Sequence, residues 1–201
     1  HRLIRYRRVD IASDVDNSII VPRKALTLLK ATLPHETTNV NVEFNVSNAF
    51  FKFGNIFMVC RLIDERYPDY ENVIPQGNDN NMTIDRAELL GSLKRIAIYA
   101  NKTTHQVRLK ITGSELMVSS EDLDFSNEAN ERLSCDHDGE DIEIGFNGKF
   151  LIEMLGNISS KEVTLKLSQA NKAGLLVPVK QDQNEDLLML VMPVMLSNYT
   201  A

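Results

Sequence analysis

Three stretches of the chain carry apolar residues at helical spacing: Pro22 to Leu33, Arg86 to Asn101 and Gly148 to Ile158. Each follows a short alternating or β-branched run, at Ser18 to Val21, Met82 to Asp85 and Ile142 to Phe146. The helical stretches begin 64 and 62 residues apart, so the spacing predicts a structural repeat. Behind each come three strand-like runs bounded by turn residues. They are Asn39 to Val46, Ala49 to Phe53 and Ile56 to Ile63; then Gln106 to Thr112, Glu115 to Ser119 and Asn130 to Cys135; then Glu162 to Leu167, Gly174 to Val179 and Leu187 to Val194. The unit is βαβββ, used three times.

Phe53-Gly54-Asn55 and Thr112-Gly113-Ser114 read as hairpin turns, which makes the sheets antiparallel and the fold class α+β. Residues 67–79 hold two prolines, a glycine and little periodicity, a linker composition. The expected layout is a one-helix domain over residues 1–66, a linker over 67–79 and a two-helix domain over 80–201.

On the second helix Leu89, Leu93, Ile96 and Ala100 form the core stripe, while Ile98 lies opposite and Arg95 and Tyr99 flank the polar face. The first helix is expected to bury Ala25, Leu28, Leu29 and Leu33. Its first turn carries Arg23 and Lys24, which oppose the helix dipole by about 0.3–1 kcal/mol each and would be offset by an anion.

Composition narrows the classes. With 43% hydrophobic and 25% charged residues in 201, the chain is globular. Its longest apolar stretch, Leu187 to Leu196, contains Pro193 and is about half of what a membrane-crossing helix needs. Cys60 and Cys135 stand alone, which indicates neither a disulfide framework nor a zinc site and fits a reducing cytoplasm. The chain starts at His1 with no signal-peptide pattern and is expected to be a fragment of a longer protein. Net charge is −6, so bulk basicity gives no argument for nucleic acid. Basic residues nevertheless crowd the start, at Arg2, Arg5, Arg7, Arg8, Arg23 and Lys24, and predict a cationic face on an acidic body.

No phosphate loop, nucleophile elbow or zinc-protease motif is present, and His1, His35, His105 and His137 are scattered. Cys135 to Asp141 resembles the opening of a calcium loop, but Gly139 falls at the wrong position, and Asp138-Gly139 reads better as a hairpin turn. No catalytic residue, metal ligand or cofactor is assigned. Met192-Pro193-Val194-Met195-Leu196 ends the last strand with a proline and two flexible thioethers, a composition suited to binding apolar peptides.

Several segments together resemble the bacterial sliding clamp, the beta subunit of DNA polymerase III. They are His1-Arg2-Leu3, Val21-Pro22-Arg23-Lys24, Leu62-Ile63-Asp64 with Tyr67-Pro68-Asp69-Tyr70, Val107-Arg108-Leu109, Ile144-Gly145-Phe146-Asn147 and Val191-Met192-Pro193-Val194. The likeness spans the second half of that family's middle domain and its whole C-terminal domain. It implies a DNA-clamp fold with sheets outside and helices on the inner face, and a non-catalytic processivity factor that is a homodimer ring at full length. The implied partners are double-stranded DNA, held without sequence preference, and polymerase subunits, clamp loader and repair factors bound through short apolar peptides, with no membrane.

By the resemblance, Arg23 and Lys24 meet the DNA backbone. A groove between the middle and C-terminal domains draws on Arg2, Leu3, Pro68, Val73, Thr104, Phe150, Gly174, Val191, Met192, Pro193, Val194, Met195 and Leu196. Ile98, Tyr99, Glu128 and Glu131 fall at the dimer interface. The chain departs from common family members at Phe150, often Tyr, and at Asn72 and Met195, both often Arg, which implies a shifted peptide preference; the tail after Leu196 is placed near the groove mouth. The rival reading is an unrecognised hydrolase or metal-dependent enzyme on a repeated α+β scaffold, and the lack of any acid, base or nucleophile cluster argues against it.

Overall fold

A computed structural model of the chain describes residues 1–33, 39–122 and 124–196; His35 and the tail after Leu196 lie outside the described residues. In chain order the elements are β1 (Arg2–Arg8), α1 (Arg23–Thr32), β2 (Asn41–Phe44), β3 (Asn48–Phe53), β4 (Ile56–Arg61), β5 (Asn80–Asp85) and α2 (Arg86–Ile96). Then come β6 (Gln106–Thr112), β7 (Glu115–Asp122), β8 (Asn127–Ser134), β9 (Asp136–Asp138), β10 (Ile142–Asn147), α3 (Gly148–Gly156), β11 (Glu162–Leu167), β12 (Gly174–Pro178) and β13 (Glu185–Val191). Single 3₁₀ turns occupy Glu71–Val73 and Ala97–Tyr99. Among the described residues no helix is long and apolar enough to cross a membrane.

The chain packs as two units, Ser13–Asp69 and a larger one combining His1–Ala12 with the chain from Tyr70 onward. The larger unit has a six-stranded sheet, β1-β13-β12-β11-β5-β9, and a four-stranded sheet, β10-β6-β7-β8, with every pair antiparallel. Alternation explains its core. Val107, Leu109 and Ile111 of β6, Leu116 and Val118 of β7, and Ile144 and Phe146 of β10 turn one face inward. They meet Met82, Ile84, Val163 and Leu165 from the six-stranded sheet and Leu93, Ile96, Leu151 and Leu155 from the helices in a single cluster. Burying a side chain of this size contributes about 1.5–3 kcal/mol, so the stability of the unit resides here.

The same device starts both helices of this unit. The strand before each ends on a short acceptor, and its side chain takes the first free helical N–H groups. Asp85 Oδ1 accepts from Ala87 (2.8 Å) and Glu88 (3.0 Å), and Asn147 Oδ1 from Lys149 (3.1 Å) and Phe150 (3.4 Å). The Glu88 and Ala87 N–H groups hold the Asp85 carboxyl below the usual carboxylate range. Arg86 then ties the pair together, donating to Ser160 O (2.9 Å) and Leu155 O (3.2 Å) at the far end of α3. The helix packed on a strand-supplied cap is thus a repeated solution.

The smaller unit holds α1 and the meander β2-β3-β4. Its buried apolar cluster is Ala49, Phe51 and Phe53 of β3, with Leu29, Leu33 and Met58 packed around it. Gly54 and Gly113 open the two-residue hairpin loops at φ +52° and +55°, where glycine carries no Cβ penalty.

Residues 1–12 pack within the larger unit, because β1 pairs with β13 from Arg2↔Val191 to Arg8↔Glu185. Three details differ from the sequence expectations. Ser18–Val21 is not a strand, with Ile20 O accepting from Ile63 N–H (3.0 Å) in place of a ladder. Leu28 of α1 is exposed, since the helix turns Ala25, Leu29 and Leu33 inward and Leu28 lies about 100° away from Leu29. Asp138-Gly139 is not a hairpin: β9 pairs with β5 while β10 pairs with β6, so the segment crosses between sheets. A Cβ on Gly139 would stand 2.6 Å from the Asn80 side chain, and its φ of +156° suits glycine alone.

Candidate functional site

The ends of three neighbouring strands bring most of the expected groove residues to one edge. Val191, the last residue of β13, pairs with Arg2 on one side and Gly174 on the other. Pro193 has no N–H to continue the ladder, so β13 stops at Val191 rather than Val194. The chain stays tethered at two points, where Met192 N–H donates to His1 O (2.9 Å) and Val194 N–H to Gly145 O (2.8 Å). Met192 and Met195 are left exposed, with Pro193, Val194 and Leu196 half-buried. Leu196 sits close enough over Gly145 that a Cβ there would come within 2.8 Å of it.

Arg2 links this edge to α3. Its guanidinium lies 4.3 Å from the centroid of the Phe150 ring and pairs with Glu153 at 2.7 Å. Phe150 is half-buried on the main core, and Leu3 packs with Ile74, Leu175 and Leu190. Val73, on the 3₁₀ turn beside Ile74, is exposed. The strand end therefore leaves Met192 and Met195 exposed ahead of a half-buried Leu196, with Arg2 held over the Phe150 ring.

Not every expected residue serves alike. Gly174 and Val191 are buried, so they shape the edge without offering side-chain surface; a Cβ at Gly174 would press Leu167 and Phe146 at 3.1 Å. Thr104 is exposed on the loop before β6, and it alone of the expected groove residues lines a cavity of about 590 Å³, whose mixed wall includes Gln106, Arg108, Met117, Ser119 and Glu128. Pro68 belongs to the smaller unit.

Arg23 and Lys24 are exposed on the first turn of α1. Pro22 provides no side-chain cap and the turn has no acidic residue, so the positive helix end stands with two cations on it. The other early cations differ. Arg2, Arg5, Arg7 and Arg8 are paired with Glu153, Asp186, Glu71 and Asp10, which neutralises the cationic face expected from composition.

Ile98 and Tyr99 sit on the 3₁₀ turn after α2, 66% and 44% exposed. Glu128 and Glu131 lie on β8, the edge strand of the four-stranded sheet. Glu128 is exposed, but Glu131 accepts a bidentate pair from Arg95 at 2.6 Å on each oxygen, which pushes the carboxyl down and the guanidinium up. Among the described residues no three His, Cys, Asp or Glu side chains cluster as a metal site.

Family comparison decides the lineage. Residues 1–69 match the family described as DNA polymerase III beta subunit, central domain, and residues 71–194 match its C-terminal domain. The chain belongs to the DNA polymerase III beta-subunit family. Beta sliding clamps from Pseudomonas putida and Pseudomonas aeruginosa are 31% and 30% identical to it, over 90% and 92% of this chain and 48% and 50% of theirs. The chain thus spans about half the length of these relatives. A Pseudomonas aeruginosa sliding clamp structure, bound to griselimycin, superposes with TM-score 0.88 at 28% identity, covering 98% of this chain and 52% of that one. A Bartonella birtlesii clamp gives TM-score 0.85 at 28% identity, covering 97% of this chain and 58% of that one. The α+β architecture is therefore the clamp fold of the beta-subunit family. The central-domain match includes β1, although β1 packs on β13 of the larger unit.

Proposed function

We propose that this chain is part of a DNA polymerase processivity clamp, a non-catalytic cytoplasmic protein that at full length encircles duplex DNA as a homodimer. The observation that carries the reading is the consecutive match of two beta-subunit domains across residues 1–69 and 71–194. Arg23 and Lys24 meet phosphate and do not read bases, so the hold on DNA is independent of sequence. Ile98 and Tyr99, exposed beside the acidic edge strand β8, serve the closing interface, with Glu128 free to face a partner and Glu131 fixed by Arg95.

The β13 edge is the partner groove. Contiguous apolar surface at a protein's margin marks an interaction site, and Met192 and Met195 have side chains that adapt to different apolar occupants. Polymerase subunits, clamp loader and repair factors dock there through short leucine- and phenylalanine-bearing peptides. Affinity at such sites concentrates in a few anchors, so Met192→Ala and Phe150→Ala each weaken such a peptide by roughly 1–3 kcal/mol. Calorimetric titration of the 201-residue chain checks this. Wild-type affinity in both variants places the groove elsewhere.

A further inference from the structure

Three helix-bearing repeats are an odd number, and the larger unit shows how two of them satisfy each other. The strand before each helix pairs with the first strand after the other helix: β5 with β11, from Asp85↔Glu162 to Asn80↔Leu167, and β10 with β6, from Asn147↔Gln106 to Ile142↔Ile111. The exchange is reciprocal, and it sets α2 against α3, with Arg86 at the start of one donating to Leu155 O near the end of the other. On its other edge each leading strand is held by the tail of its own repeat, β5 by β9 at Met82↔His137 and β10 by Val194 at Gly145.

The repeat in the smaller unit has the tail contact without the exchange. Ile20 O accepts from Ile63 N–H at 3.0 Å, but among the described residues no strand lies along the other edge of residues 18–21, and β2, the first strand after α1, ends its sheet. Isoleucine, isoleucine and valine at 19–21 favour strand, so the segment lacks a partner and not the propensity. The side chains that a mate covers elsewhere are open here. Leu26 lies four residues past the start of α1, as Leu89 and Leu151 lie past Asp85 and Asn147; those two are buried, whereas Leu26 is 48% exposed. Val42 and Phe44 share a sheet face with Phe51 and Ala49, their partners on β3, yet are 49% and 44% exposed, while Val107 and Leu109 of β6 and Val163 and Leu165 of β11 are buried.

We propose that two copies of this 201-residue chain associate through their smaller units, residues 18–21 of each lying along β2 of the other and the two α1 helices packing side by side. Because the pairing seen in the larger unit is reciprocal, two identical repeats satisfy it about a twofold axis, the isologous geometry of a closed dimer. An edge strand with an open backbone ladder and exposed apolar side chains invites that pairing. The association uses neither Ile98 nor Tyr99 and depends on neither the groove nor the closing interface assigned above.

Sedimentation equilibrium of the 201-residue chain between about 1 and about 100 μM should show the mass rise from one chain to two. Val42→Lys with Phe44→Lys puts charges on the inward face of the edge strand and should hold the chain as a monomer throughout, whereas Ile98→Asp should leave the dimer intact. Amide exchange reads the pairing without any substitution: protection across residues 18–21 and β2 should rise with wild-type concentration. A monomer at every concentration overturns the proposal. So does a dimer that Ile98→Asp splits and the double lysine variant leaves whole, or protection at residues 18–21 and β2 that does not change with concentration.

Discussion

The helix α1 and the pair α2 and α3 come from the same repeat, yet they are built to different ends. Asp85 and Asn147 cap α2 and α3, and each of these helices buries apolar side chains, Leu89, Leu93 and Ile96 in one and Leu151, Met154 and Leu155 in the other. α1 begins at Pro22 with no side-chain cap, carries Arg23 and Lys24 where acids belong, and buries no residue fully. Local stability is spent in α2 and α3 and withheld in α1. A helix start left cationic and uncapped suits an external anion better than it suits the fold.

The largest expected effect comes from making one change in both regions. Leu93 is fully buried and Leu28 is 54% exposed. Leu93→Ala should lower unfolding free energy by about 2–5 kcal/mol, and Leu28→Ala by no more than about 0.5 kcal/mol. Urea unfolding of the two variants checks this, and similar losses would erase the distinction between the helices.

Next come the two caps, which separate by chemistry. Asn147→Ala should cost about 1 kcal/mol at any pH, because an amide does not titrate. The Asp85 cap does titrate. Its folded pKa is depressed by the Glu88 and Ala87 N–H groups, so its contribution is complete above the unfolded value of about 3.9 and is lost as pH falls through the folded one. Protection against amide exchange in the first turn of α2, taken relative to the intrinsic rate at each pH, should therefore fall below about pH 4 while that of α3 does not. Equal loss of protection in both helices would contradict the assignment.

Much of this was legible in the sequence because the core strands and helices are strongly periodic. Val107, Leu109 and Ile111 alternate cleanly, and Leu89, Leu93 and Ile96 keep helical spacing. β1 escaped because Arg2–Arg8 reads as a charged run; its inward positions are Leu3 and Arg5, and Arg5 is tolerated there by Asp186. β9 escaped because Asp136–Asp138 has three polar residues and no apolar face. The proline after Val191 announced the groove edge, whereas the burial of Gly174 and Val191 depends on strand neighbours that no local pattern records.

The smallest effect on stability and the most direct test of function fall on α1. Arg23→Gln with Lys24→Gln should leave unfolding free energy unchanged or raise it by about 0.3–1 kcal/mol for each cation removed. Duplex DNA binding by the 201-residue chain, titrated against salt for two unrelated sequences, is the measurement that decides. The account predicts that the variant loses about 1.8 from the slope of log affinity against log salt, roughly 0.9 for each phosphate contact, equally for both sequences. An unchanged slope, or a loss confined to one sequence, would contradict it.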